Sequence, residues 1–129
     1  MRFMMIVKGS KDYEAGIPPS PELMASIGKL TQEMMKAGVV IGNGGLLPSS
    51  AGARVRVGGG KMTVTDGPFA EAKELIGGYA IVEAKSKLEA IELGKDFMKV
   101  HSDVLGPSYE GELEVRQMFD PGECGSSRS

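Results

Sequence analysis

Cysteine is almost absent from this chain. Cys124 stands alone, so no disulfide can close within it. Histidine is as scarce, with His101 alone. One cysteine and one histidine cannot build a zinc site of the usual Cys/His type within a chain. The expectation is a protein of the reducing cytoplasm that holds no metal and no other cofactor. An excess of one charge is missing too: 15 Lys and Arg against 17 Asp and Glu leave a net charge of −2. Holding nucleic acid by neutralising phosphates needs a basic excess, so no nucleic-acid partner is expected. No apolar run approaches the ~20 residues of a membrane span. The opening Met1-Arg2-Phe3-Met4-Met5-Ile6-Val7-Lys8 is too short and too soon charged for a secretory leader. No membrane partner is expected either.

What is present is ordinary globular material. Hydrophobic residues make up 41% and charged residues 25% of 129. Two domains of half that length would each bury too little to be stable, so one domain is expected over residues 1–119. Residues 120–129 are rich in Pro, Gly and Ser and read as a flexible C-terminal tail.

The elements follow from period and punctuation. In residues 2–8 both alternating faces are apolar, with Phe3, Met5 and Val7 on one and Met4 and Ile6 on the other. A strand of that kind is central and covered on both sides. Residues 9–19 read as a loop. Ser20 as N-cap, Pro21 at the first helical position and Glu22 at the positive dipole end open a helix over 21–37. Leu23, Ile27, Leu30 and Met34 form its stripe, and Gly38 stops it. A strand over 39–46 follows. Then comes a hairpin, Arg54-Val55-Arg56-Val57 and Met62-Thr63-Val64-Thr65 around Gly58-Gly59-Gly60. Asp66-Gly67-Pro68-Phe69 breaks it, residues 70–75 have room for one helical turn, and Gly77-Gly78 precede a strand over 79–84. Ser86 and Glu89 match a capping box, and a second helix carries Ala90, Gly94, Phe97 and His101 on one stripe. Residues 112–119 form the last strand.

The order is β-α-β, an inserted hairpin, then β-α-β. The expected fold is α+β and ferredoxin-like: an antiparallel sheet with two helices on one face. Met4 and Ile6 leave the other face apolar, and the chain has no third layer to cover it. A second copy packed sheet to sheet would, so a homodimer is expected.

The stretch from Thr65 to Glu74 is the densest in chemistry. Gly67-Pro68 fixes a turn that holds Asp66 at a strand end, and Phe69 could desolvate its carboxylate enough to make it a base. Asp66 could equally be a turn cap, and Glu71, Lys73 and Glu74 solvated charges. His101 could serve as general acid or base near neutral pH, or be a core imidazole bonded to a carbonyl. Asp103 could orient its ring only if the backbone turns there. Arg54, Arg56 and Arg116 project from strands and could clamp an anion or form surface pairs. Tyr13 and Tyr79 could bond a small polar ligand or simply pack. Gly42-Asn43-Gly44-Gly45 lacks the ending of a nucleotide loop.

Val64-Thr65-Asp66-Gly67-Pro68-Phe69, followed by Glu71, Lys73, Glu74 and Gly77-Gly78-Tyr79, resembles the signature of the DGPF branch of the YCII-related family. The likeness extends over about residues 2–119, taking in the Gly38-Val39 helix exit, the Arg-Val hairpin and Glu114-Val115-Arg116. It implies the dimeric α+β barrel superfamily, which holds isomerases, lyases, dehalogenases, monooxygenases and ligand-binding regulatory modules. Several branch members are encoded beside extracytoplasmic sigma factors, which implies a sigma factor as a candidate partner. The His-Asp pair that the wider family carries near its first helix has no counterpart here, since no histidine precedes His101. What carries over is Asp66, Gly67, Pro68, Phe69, Glu71, Lys73 and Glu74, as the rim or wall of a pocket.

The expected function is therefore small-molecule binding near the Asp66 turn, with cofactor-free proton transfer or elimination if the protein is an enzyme. Asp66 or His101 would be the acid/base, and Arg54, Arg116 or Lys73 the anion partner. The alternative is a non-catalytic ligand-binding or regulatory module acting with a sigma factor.

Overall fold

A computed structural model describes residues 1–69 and 75–120. Strand β1 spans Arg2–Lys8, the short helix α1 Lys11–Glu14, helix α2 Pro21–Lys36 and strand β2 Val40–Gly45. A 3₁₀ turn at Ser49–Ala51 leads into the hairpin strands β3, Ala53–Gly58, and β4, Lys61–Asp66. Strand β5, Ile76–Glu83, helix α3, Lys87–Leu105, and strand β6, Leu113–Gln117, complete the order. Ser20 and Ser86 cap α2 and α3 through their hydroxyls, which accept from Leu23 N and Glu89 N. The main sheet has the order β2-β5-β1-β6 with every described pairing antiparallel. Each long helix thus joins strands two places apart: α2 carries the chain from β1 past β5 to β2, and α3 carries it from β5 past β1 to β6.

One face of this sheet makes the core. Phe3, Val82 and Val40 lie side by side across β1, β5 and β2, as do Met5, Ala80 and Asn43. Phe3, Met5 and Val82 are sealed from solvent. Met34 of α2 and Ala90 and Phe97 of α3 join the same cluster, so both helices cover that face. Gly94 lets α3 close on β6, because a Cβ there would sit 3.0 Å from a Leu113 methyl.

The topology corrects the expected dimeric α+β barrel. The four-stranded sheet is open, with β2 and β6 at its edges, and β3 and β4 form a separate two-stranded sheet. Two apolar alternations along β1 require cover on both faces, but cover is not closure. Closure needs hydrogen bonds that carry on past the edge strands, and the hairpin that follows β2 pairs only with itself.

Local corrections have local causes. Residues 9–19 are not all loop: Ser10 caps a single turn of helix, accepting from Tyr13 N at 3.1 Å. Strand β5 begins before the expected 79, and Gly77 and Gly78 lie within it. A Cβ on Gly78 would stand 3.1 Å from the Gly44 carbonyl oxygen, so the adjacent backbones leave no room for one. The expected helical turn over 70–75 lies outside the described residues except for Leu75, and so does the tail beyond Asp120.

Candidate functional site

The helix-facing rows of the sheet lose volume from one end to the other. Phe3, Val82 and Val40 fill the first row, and Met5, Ala80 and Asn43 the second. The third is Val7, Gly78 and Gly45, two of which have no side chain. Above that row α2 and α3 have nothing to rest on. A cleft of about 880 Å³ opens there. Leu23, Ile27 and Thr31 of α2 form one wall and Phe97, His101 and Leu105 of α3 the other. Both triplets run at i, i+4, i+8, one helix face each. Asp12, Tyr13 and Ile17 line it from α1 and the loop after it.

His101 is the titratable ring of this cleft, and it is 8% exposed. Its Nδ1 lies 2.8 Å from the Phe97 carbonyl oxygen one turn back. A carbonyl can only accept, so Nδ1 carries the proton and Nε2 holds the lone pair of the neutral ring. Among the described residues no buried side-chain nitrogen or oxygen is without a hydrogen-bond partner, so Nε2, which bonds no described group, is not sealed from solvent. Tyr109 stacks on the ring at 5.7 Å between centroids and 21° between planes. Burial raises the Tyr109 phenol above its ordinary pKa. Asp103 takes no part, because α3 runs on to Leu105 and turns Asp103 towards Lys99 at 2.7 Å.

The motif turn sits elsewhere. Asp66 ends β4, exposed, opposite Ala53. Gly67 N donates to Gly52 O at 2.9 Å, and a Cβ on Gly67 would lie 1.8 Å from the Ser49 carbonyl oxygen, so only glycine fits. Pro68 is exposed and joined to Gly67 by a cis bond. Phe69 N donates to Ser49 Oγ at 3.0 Å, and the Arg54 guanidinium lies 4.0 Å over the Phe69 ring. Ser49 in turn donates to the Glu14 carboxylate, from N at 2.8 Å and from Oγ at 2.5 Å. Tyr13 donates its hydroxyl to Leu46 O. The turn is therefore tied through Ser49 to α1, the helix that brings Asp12 and Tyr13 to the cleft.

A smaller recess of about 270 Å³ lies beside the turn, lined by Phe69, Arg54, Glu14 and Ser49. His101 lines the large cleft, and Asp66 lines neither of these two cavities. Arg116 lies on the outer side of the sheet with its guanidinium on Glu114, 2.6 Å from Nε to Oε2. Glu71, Lys73 and Glu74 lie outside the described residues. Among the described residues no three of His, Cys, Asp and Glu converge as a metal centre would require. Sequence reasoning passed over Tyr109 and Thr31, and it read Gly45 and Gly78 without seeing them as the floor of a cleft. Their available signal was glycine at matching ends of two strands.

No described helix is long and apolar enough to cross a membrane. The chain is similar in sequence to the Uncharacterized protein R00369 of Rhizobium meliloti (strain 1021). It is 29% identical over 106 residues, 81% of each chain. The model of the YCII-related domain matches residues 1–105, every element from β1 through α3. On that match the chain belongs to the YCII-related family.

Proposed function

We propose that this chain binds a small, uncharged and largely apolar molecule in the cleft beneath α1, with His101 Nε2 accepting a proton from it. The observation that carries this is the bond between Nδ1 and the Phe97 carbonyl, which commits one nitrogen of a ring that lines the cleft and leaves the other free to act as a base. Proton transfer from an acidic O–H or C–H to Nε2 would leave an imidazolium and a ligand anion. Asp12 is the carboxylate that lines the same cleft. Lys8 also lines it, but its ammonium is held 3.4 Å from Glu114. A bound anion would thus find a carboxylate and a cation already engaged, which favours an uncharged ligand.

In this reading the Asp66–Phe69 turn belongs to the DGPF branch pattern and acts as a support. It holds Ser49, Ser49 holds Glu14, and Glu14 fixes the helix that covers the cleft. Asp66 itself is the residue that ends β4 at the start of that support. The working form is a homodimer, because the outer face of the sheet carries Met4, Ile6 and Ile81, half-buried, while both long helices pack on the opposite face.

The test is a ligand screen read at His101, the only histidine and hence a single ring signal in NMR. Phenols and enolisable ketones are expected to move that signal, whereas phosphate and simple carboxylates are not. Binding that persists in His101→Ala without any chemical change to the ligand would assign the cleft to a non-catalytic binding module. Anions that move the signal more than phenols would overturn the ligand class.

A further inference from the structure

We infer that Thr31 is a second recognition point of the cleft, its hydroxyl hydrogen-bonded to a neutral oxygen of the same ligand that His101 engages. Resting on the ligand-binding reading above, this narrows the ligand class. The class becomes an uncharged, largely apolar molecule with two polar ends. One end is the acidic O–H or C–H that meets Nε2, and the other is a hydroxyl or carbonyl.

Two polar side chains are buried among the described residues: Thr31, 6% exposed, and His101, 8% exposed. Both line the cleft, Thr31 from the α2 wall and His101 from the α3 wall. Thr31 continues the row of Leu23 and Ile27 along one helix face, so its neighbours one and two turns back are apolar. Valine has the same branched shape and would suit that row without a polar atom. It is the hydroxyl that calls for a partner.

A hydroxyl buried on a helix commonly bonds the carbonyl one turn back. The His101 ring makes the equivalent bond to Phe97. The Thr31 hydroxyl bonds no described group, and since none of the described buried oxygens lacks a partner, it is not sealed from solvent. A hydroxyl taken into apolar surroundings without a bond works against folding. A ligand oxygen supplies that bond. The hydroxyl can donate or accept, so a carbonyl and a hydroxyl both suit it, and it carries no charge with which to hold an anion. Gln32, the other polar side chain that α2 brings to the cleft, is exposed and is not held in this way. A molecule bonded on both walls is oriented, whereas a single bond at Nε2 leaves it free to turn.

The test uses the full chain and matched pairs of phenols. The ortho, meta and para hydroxybenzyl alcohols are each titrated beside the ethylphenol in which a methyl replaces the second hydroxyl. Binding is read at the His101 ring signal. Thr31→Val keeps the side-chain shape and removes the hydroxyl. It should weaken at least one alcohol about tenfold relative to its ethylphenol, the scale of one neutral hydrogen bond. Thr31→Ser should keep the wild-type ratio. The urea midpoint of Thr31→Val should equal or exceed that of the wild type, because the hydroxyl has no partner in the described fold. A lower midpoint would show that the hydroxyl serves the fold and would overturn the inference. Ethylphenols that bind while Thr31→Val changes no alcohol relative to its pair would overturn the Thr31 contact alone. Phenols of both kinds that leave His101 unmoved would overturn the ligand-binding reading and Thr31's part in it together.

Discussion

His101 and Phe97 are locked together by a single bond along α3, imidazole Nδ1 to carbonyl oxygen at 2.8 Å. The bond fixes a tautomer. In the ¹⁵N NMR spectrum of the neutral ring Nδ1 should appear protonated and Nε2 as the bare, pyridine-like nitrogen. A proton on Nε2 would mean that the carbonyl does not hold the ring and that Nε2 is not the base.

Gly28 sits in the middle of α2 on the cleft wall, where a Cβ would meet no heavy atom within 4 Å. Glycine in a helix interior costs about 0.5–1 kcal/mol against alanine. Gly28→Ala is therefore expected to stabilise the fold by that amount in urea denaturation, while Gly28→Leu should fill the cleft and abolish ligand binding. Unchanged binding in a folded Gly28→Leu protein would place the ligand elsewhere.

Gly67 has the opposite surroundings. Its missing Cβ would fall 1.8 Å from the Ser49 carbonyl oxygen, a backbone atom that cannot swing aside. Gly67→Ala should destabilise by about 2 kcal/mol or more, as overpacking against fixed atoms does. Gly45→Ala, with open space at its Cβ, serves as the control and should change stability little. Denaturation midpoints at constant slope measure both.

Glu114 gives stability a pH dependence. A hydrogen bond from Arg116, aided by Lys8, holds its carboxyl below the ordinary value of 4.5. The folded state therefore favours the ionised form. The contribution is complete above pH 4.5 and is lost as pH falls through the lower folded value. Glu83, held low by Arg2, acts with the same sign. Glu114→Gln should flatten the acid limb of a stability–pH curve, and an unchanged limb would show that the Arg116 contact is idle.

Much of the fold was legible where the signal is local. Ser20-Pro21 and Ser86 announced two helices because a cap and a period lie within a few residues of each other. Helix α1 has too few residues for a period, and only its Ser10 cap marks it. The cleft was not legible, since its floor joins Val7, Gly45 and Gly78 from three strands through a register that no single segment encodes. His101 was seen as a candidate, but its partner is a backbone carbonyl, and carbonyls leave no mark in a sequence. The Asp66–Phe69 stretch concentrates charges and an aromatic ring, and that density pointed to a pocket. Its backbone packs on Ser49 and Gly52, and Phe69 lines a small recess with Arg54.

The most direct test of the account is titration of a phenol into the protein while the ring signals of His101 are followed by NMR. The account predicts a saturable shift of Nε2 with Nδ1 still bonded, and loss of that shift in folded Gly28→Leu. A His101 ring that no uncharged ligand moves, or one moved equally in Gly28→Leu, would contradict it.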